Sequence, residues 1–313
     1  MTRKILSACM LALLISASAM AQTNTDVASD MNTTINKTGR KYDSTKAWNK
    51  GGGVSLTLGN TALSNWAGGG TNSFSFNGTL NVYADYKKGK DNWDNNLNVQ
   101  YGYLKTQDVI GQNSANLFDL LSLYGHNLTS KLDASGLFRF RTQPFDGYTY
   151  TTDANGVLTS GSRTSTFMAP AYITLAPGIT WKPVKKLNIF ISPVAARLLV
   201  VANKELSNEG MYGVDTGNTC KFELGAMINA GYAANITKTI TYAGNLELFS
   251  NYLQNPQNIY IFWTNSFAAK ITKMISVTWN FNLAYDDLYR PTPGKGPKLQ
   301  VQSILGVGFL YNW

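Results

Sequence analysis

Hydrophobic and polar residues alternate with a period of two along most of the chain after residue 50. In residues 73–86, for example, Phe74, Phe76, Leu80 and Val82 share one face, and the other face carries serine, asparagine and threonine. Strict alternation of this kind predicts β-strands with one apolar and one polar face. Outside the first residues, no apolar stretch reaches the length that a membrane helix needs.

About twelve segments carry this pattern, an even number of the kind found in bacterial membrane barrels. They are residues 51–58, 73–86, 93–103, 116–128, 131–145, 167–182, 187–199, 221–235, 239–252, 257–271, 275–288 and 298–313. Residues 194–206 could also form a helix, and we interpret them as a strand followed by a loop.

Short and long connections alternate between these segments. The short ones lie around Lys88, Ser130, Pro183, Ile236 and Thr272, and the long ones are residues 59–71, 106–115, 146–166, 200–220, 253–256 and 289–297. Alternation of this kind predicts an all-β fold: a transmembrane up-and-down antiparallel β-barrel with short periplasmic turns and long extracellular loops. Both termini should then lie in the periplasm, because the last strand descends after the last long loop and pairs with residues 51–58.

The N-terminus indicates export from the cytoplasm. Arg3 and Lys4 precede the apolar residues 5–15, and an Ala-x-Ala site ends at Ala21, so residues 1–21 are predicted to be a signal peptide. Residues 22–50 are polar and lack periodicity, which predicts a flexible periplasmic tail. The barrel then comprises residues 51–313.

The net charge is +9, and removal of the two leader cations makes it 9 − 2 = +7. The lysines are spread over the predicted turns rather than collected in an arm or a helical stripe, so nucleic-acid binding is not expected. They could be solvated turn residues, which we favour, or a basic ring against anionic head groups.

Several stretches resemble a family of Bacteroidota outer-membrane proteins that is catalogued only as a domain of unknown function. They include Leu-Ser-Asn-Trp-Ala-Gly-Gly at 63–69, Tyr-Lys-Lys-Gly-Lys at 86–90 and Leu-Phe-Ser-Asn-Tyr at 248–252. The resemblance implies an outer-membrane β-barrel in a diderm bacterium, but it supplies no catalytic or ligand residues. The apolar final strand, ending on Trp313, is also similar to the C-terminal signal of bacterial outer-membrane barrels, which predicts recognition by the barrel-assembly machinery.

The polar faces of the predicted strands would line the lumen. The candidates are Asn77, Asn81, Asp85, Asp94, Asn96, Asn98, Gln100, His126, Asp133, Arg139, Arg141, Asn245 and Glu247. A lumen this polar slightly favours a small-solute pore over a non-conducting structural or accessory barrel that binds another envelope protein. The other expected partner is the lipid of the outer membrane.

A hydrolytic barrel is a third, weaker alternative. If Thr129 and Ser130 form a two-residue turn, His126 faces Asp133 on the inner side, with Ser135 diagonally near. This trio has the composition of a catalytic triad. We prefer a structural His126–Asp133 pair, because the trio would face the lumen beside a turn.

Asp85 and Asp94 should also face each other across two strands, where like charges repel unless a cation or a neighbouring lysine relieves them. Neutralisation by lysine is the interpretation that we favour, and a calcium ion there, or between Asp146 and Asp153, is the alternative. One histidine and one mature cysteine argue against a Cys/His metal site, and no cofactor is expected. Aromatic girdles are expected near Tyr86, Trp93, Trp181 and Trp313 at the turn end and near Tyr103, Tyr252, Tyr285 and Tyr289 at the loop end.

Overall fold

Strands make up most of the computed structural model, which describes residues 43–61, 73–106, 111–152, 158–184, 186–272, 275–285 and 299–312. The predicted signal peptide, most of the predicted tail, Asp153, Tyr289 and Trp313 lie outside the described residues. The first strand begins at Trp48, so the end of the predicted 22–50 tail already belongs to the sheet.

The strands are β1 (Trp48–Thr61), β2 (Ser73–Lys88), β3 (Asp91–Thr106), β4 (Gln112–Thr129), β5 (Leu132–Thr142), β6 (Gly147–Thr152), β7 (Leu158–Ser165), β8 (Ala171–Val184), β9 (Leu187–Val200), β10 (Cys220–Asn235), β11 (Ile240–Asn251), β12 (Ile259–Lys270), β13 (Ile275–Tyr285) and β14 (Gln300–Asn312). Twelve of them, β1 to β5 and β8 to β14, form a closed antiparallel barrel in which each strand pairs with its two neighbours. The predicted fold class is therefore confirmed.

The alternating pattern decides which face of each strand turns outward. The apolar residues of the runs point away from the barrel axis and are exposed, among them Val54, Leu80, Ile228, Ile261, Val301 and Val307. The polar residues between them turn inward. An apolar exterior over polar inward positions is the arrangement of a barrel that lies in lipid.

The connections of the barrel separate into two ends. Residues 89–90, 130–131 and 236–239 join consecutive strands at one end, which we call the turn end; β8 ends and β9 begins there, as do β12 and β13. The connections at 143–170 and 201–219 belong to the opposite, loop end. The turn that joins β2 to β3 uses Gly89, whose φ of 58° lies in the left-handed region that glycine adopts without strain.

The ring closes where the first strand meets the last. Gly53 pairs with Asn312 and Thr57 pairs with Gly308, with the residues between them in antiparallel register. The predicted pairing of the terminal strand with residues 51–58 is confirmed.

A small apolar core closes part of the loop end. It comprises Ala169, Leu199, Val201, Leu206 and Val214. Leu206 belongs to a short helix, α1 (Lys204–Asn208), that Asn203 caps by accepting a hydrogen bond from the Leu206 amide at 3.1 Å. The span 194–206 is thus a strand to Val200, as interpreted, but a helix follows where only a loop was expected.

The predicted long loop 146–166 contains a hairpin that the sequence pattern did not indicate. β6 and β7 pair with each other as a separate two-stranded sheet. The Tyr212 hydroxyl donates to the carbonyl oxygen of Thr164 in β7, and this bond ties the hairpin to the 201–219 loop. Among the described residues, no helix is long and apolar enough to cross a membrane.

The predicted register of the β4–β5 hairpin is wrong. A bulge between Asn127 and Thr129 shifts the pairing, so that His126 lies opposite Ala134 and Asn127 lies opposite Asp133. A single extra residue moves every side chain of a strand to the other face. Leu121 on β4 is therefore buried on the inward face, opposite Arg139, and His126 is not.

Candidate functional site

The lumen is the candidate site, because almost all predicted polar residues converge there. Twelve of the predicted candidates occupy inward positions of their strands: Asn77, Asn81, Asp85, Asp94, Asn96, Asn98, Gln100, Asp133, Arg139, Arg141, Asn245 and Glu247. Many of these side chains are buried, with Asn98 only 1% and Asn245 only 2% exposed. Burial on an inward face means that neighbouring side chains, and not open solvent, surround these residues.

Arg139 spans the lumen. Its Nε and Nη2 atoms donate to the two carboxylate oxygens of Asp119 at 2.8 and 2.7 Å, and its Nη1 donates to Glu247 at 3.3 Å. Asp119 lies on β4 and Glu247 on β11, and in the ring β5, β8, β9 and β10 stand between those two strands. The contact therefore crosses the interior instead of following the wall.

The bridge is buried, so breaking it is expected to lower the free energy of unfolding. The exposed fractions of the side chains are 8% for Arg139, 2% for Asp119 and 8% for Glu247. Loss of Arg139 would leave both buried carboxylates without a cation. The bidentate geometry with Asp119 also fixes the orientation of the guanidinium plane.

An apolar cluster lies beside this bridge, inside the barrel. It contains Leu121, Leu137, Ala176, Phe190, Ala195, Met227 and Phe249, with Leu123 and Tyr260 packed against it. These residues come from seven consecutive strands of the ring, β4, β5 and β8 to β12. Side chains of this size inside the barrel occupy space that a water-filled channel would need.

Two further ion-pair groups flank the centre. Near the turn end, Asp133 accepts hydrogen bonds from Lys182 and from Asn92, the latter at 3.2 Å. Farther toward the loops, Arg197 donates to Glu223 at 2.5 Å, and its guanidinium lies 4.3 Å from the ring centroid of Phe249. Together they compensate buried charges on the inner wall at separate heights.

Arg197, Glu223 and Asp119 also line the lumen, although they were not among the predicted candidates. Glu223 stands two positions after Lys221 in an alternating run, and this spacing could have placed both on the inner face. Arg197 follows a register shift between Ser192 and Ala195 opposite β10, which no alternation pattern indicates.

Asp85 and Asp94 are paired directly, as the sequence predicted. Asn49 continues the same row on β1, because it is the partner of Asp85 on the other side. Among the described residues, no group of three or more histidine, cysteine, aspartate or glutamate side chains is arranged to hold a metal ion.

His126 does not line the lumen, and this corrects the prediction. Its Nδ1 atom lies 2.7 Å from Oδ1 of Asp91 on the outer surface, whereas Asp133 and Ser135 point inward. Ser135 instead shares a 2.7 Å hydrogen bond with Thr180. The serine, histidine and aspartate of the proposed trio are thus on opposite faces of the sheet and cannot act together.

Arg163, on the β6–β7 hairpin at the loop end, is held by two neighbouring side chains. A hydrogen bond with Tyr148 and the charge of Asp146, which lies 3.3 Å from Nη2, raise the pKa of Arg163. Arg163 also stacks over the Tyr148 ring at 5.9 Å from its centroid. These contacts give the hairpin an internal tie on the rim of the barrel.

Comparison with known families gives one match. Residues 58–148 match the family model described as "Protein of unknown function (DUF3078)". The match covers β2 to β5 and includes the 63–69 and 86–90 stretches that carry the resemblance. The predicted similarity to a family of unknown function is confirmed, and the match assigns no activity. A search of curated proteins finds no match.

Solved structures similar to this chain include several barrels. The translocator domain of the autotransporter NalP from Neisseria meningitidis is 11% identical, with a TM-score of 0.41, and the similarity covers 87% of this chain and 90% of that one. The NanC porin is 14% identical, with a TM-score of 0.37, and the coverage is 83% and 98%. The outer membrane channel DcaP of Acinetobacter baumannii is 11% identical, with a TM-score of 0.29, and the coverage is 87% and 99%.

Proposed function

We propose that the protein is an integral outer-membrane β-barrel of a diderm, Bacteroidota-like bacterium, with the turn end and both termini in the periplasm. The apolar exterior of the closed ring supports the membrane location. Exposed residues such as Val301, Val307 and Phe309 would form a large apolar surface in contact with water if the barrel were not in a membrane. The division into a turn end and a loop end supports the orientation.

We further infer that the barrel is closed to solutes and acts as a structural or accessory barrel. The observation that carries this inference is the bridge from Asp119 through Arg139 to Glu247 across the lumen. A solute passing this level would have to separate buried charges and displace the apolar cluster beside them. The bridge and the apolar cluster therefore favour a closed interior over a permanently open one. This reverses the slight preference for a pore that the polar pattern of the sequence suggested.

A small-solute pore is the second candidate function. A different part of the inner wall supports it. The inner faces of β2 and β3 carry mainly amides and hydroxyls, including Asn77, Asn81, Asn96 and Gln100. A movement that separated Arg139 from Glu247 would connect this polar wall to both ends. Conduction in that case depends on the bridge.

Planar-bilayer recording tests both functions with one pair of proteins. The natural protein is expected to be electrically silent, and a variant with Asp119→Ser, Arg139→Ser and Glu247→Ser is expected to show steps of current. All three charged groups of the bridge are replaced together, so that none of them is left without its partner. Steady conductance by the natural protein would overturn the closed barrel and support the pore.

An accessory barrel needs partners, and two classes follow from the proposal. The barrel-assembly machinery would recognise β14 together with Trp313, the residue that follows it in the sequence. Another envelope protein would bind the rim formed by the β6–β7 hairpin and the 201–219 loop. Mild detergent extraction followed by mass spectrometry should give a stoichiometric partner from the natural strain. A strain that lacks residues 147–165 should lose this partner but retain the folded barrel.

A further inference from the structure

We propose that the outer surface binds one phospholipid with an amine-bearing, zwitterionic head group. Its acyl chain would lie in a groove over Gly136, and its ammonium group would bind Asp91. The inference rests on the proposed membrane location, since only there does the groove face lipid.

A row of aromatic residues leads to the groove. The residues Trp48, Tyr86, Trp93 and Tyr124 are consecutive cross-strand partners on β1 to β4, and the ring centroids of Trp48 and Tyr86 are 5.2 Å apart. The next partner in the row is Gly136 on β5. Nothing lies within 4 Å of the position that a Cβ would take there, so the row is interrupted by open space.

The interruption forms a cavity of about 500 Å³ on the outer surface. Its lining is almost entirely apolar and includes Trp93, Tyr124, Phe138, Leu175 and Pro177. The volume falls in the range of about 300 to 1,000 Å³ that is usual for small-molecule sites. An apolar groove that opens sideways into lipid suits a hydrocarbon chain.

The polar groups near the groove are bonded to each other. The indole nitrogen of Trp93 donates to the Ser122 hydroxyl at 2.7 Å, and Ser122 donates to Asn95 at 2.8 Å. These bonds hold the Trp93 ring in place and leave its apolar faces for contact with a ligand.

Charged groups stand one step nearer the turn end, where a lipid head group would lie. Asp91 accepts hydrogen bonds at Oδ1 from the Tyr124 hydroxyl and from His126 Nδ1, both at 2.7 Å. Both bonds use the same oxygen, and the side chain is 43% exposed, so Oδ2 can accept from a further donor. The face of Trp93 offers a cation–π contact to the same ammonium group.

Two lysines complete the charge pattern. Lys88 lies directly opposite Asp91, and the ammonium of Lys50 lies farther along the aromatic row, 5.9 Å from the ring centroid of Trp48. A carboxylate for an amine with a neighbouring cation for a phosphate is complementary to a phosphoethanolamine group. A phosphoglycerol group carries no amine, and it would leave Asp91 facing a second negative charge.

Native mass spectrometry of the full-length mature protein, titrated with phosphatidylethanolamine or phosphatidylglycerol in detergent, tests the site. We expect the natural protein to retain the ethanolamine lipid about tenfold better, a ratio that corresponds to about 1.4 kcal/mol. Gly136→Leu fills the groove and should lower retention of both lipids. Asp91→Asn keeps the groove and should remove only the preference between them.

Gly78→Leu is the matched control, because Gly78 also lies outward in a strand and a Cβ there would meet its nearest neighbour at 3.9 Å. Equal retention of both lipids by the natural protein, or a Gly136→Leu variant that behaves like Gly78→Leu, would overturn the lipid site. Insertion into vesicles is measured separately by resistance to carbonate extraction. Failure to insert refutes the membrane location itself, whereas normal insertion without lipid preference refutes the lipid site alone.

Discussion

Replacing Arg139 with alanine should destabilise the barrel far more than the loss of an exposed charge. The substitution removes the shared partner of Asp119 and Glu247, whose side chains are only 2% and 8% exposed. Breaking a buried pair by removing one member costs about 3 to 5 kcal/mol, because the remaining charge stays buried without compensation. Since two carboxylates lose their cation in this variant, the upper part of that range is expected.

The assay is guanidinium unfolding in phospholipid vesicles, followed by tryptophan fluorescence and by the mobility shift of the folded barrel on gels. Arg163→Ala is the matched control, since Arg163 also pairs with an aspartate but is 31% exposed on the rim hairpin. Solvent screens an ion pair on the rim, so its loss has little effect on stability and the control should unfold close to the natural protein. Equal unfolding midpoints for the two variants would refute the cross-lumen bridge.

Three further predictions concern other parts of the barrel. Gly225→Val should sharply reduce the yield of folded protein on gels, because a Cβ at this inward position would lie 2.0 Å from the carbonyl oxygen of Ser250; wild-type yield would show that the strands do not approach so closely. Ile228→Arg, in the middle of β10 on the outer face, should cost about 2 to 4 kcal/mol in the same unfolding assay if the barrel spans a bilayer, and a change near zero would place this surface in water. His126→Ala should leave ester and phospholipid hydrolysis by the purified protein unchanged, and an activity that disappears with this substitution would restore the hydrolase alternative.

The architecture could be predicted because membrane barrels depend on local, repeated signals. Alternation at period two places each strand, and the alternating lengths of the connections give the order of the ring. The pairing of Asp85 with Asp94 followed from a two-residue turn at Gly89 and Lys90, where the hairpin contains no irregularity. In such a hairpin, the turn alone fixes every cross-strand pair.

The interior could be predicted only in part, because bulges carry almost no sequence signal. One extra residue near Asn127 exchanged the two faces of β4, which placed His126 outside and Leu121 inside, whereas Asp133 on β5 kept its predicted inward position. The bridge from Arg139 to Glu247 joins strands that are far apart in the ring, and no pattern along the chain encodes such a distance. The β6–β7 hairpin was missed because its residues, rich in threonine, serine and glycine, resemble an ordinary polar loop.

The join between β1 and β14 determines how the barrel should respond to force or heat. Pairing among the described residues covers Gly53 to Thr57 on β1, whereas β1 pairs with β2 from Trp48 to Thr61. Among the described residues the closing join is the shorter of the two, so amide protons along it are expected to exchange with deuterium first. Unfolding is then expected to begin as a lateral separation of the two ends of the chain, which opens the ring into a sheet before other strands part.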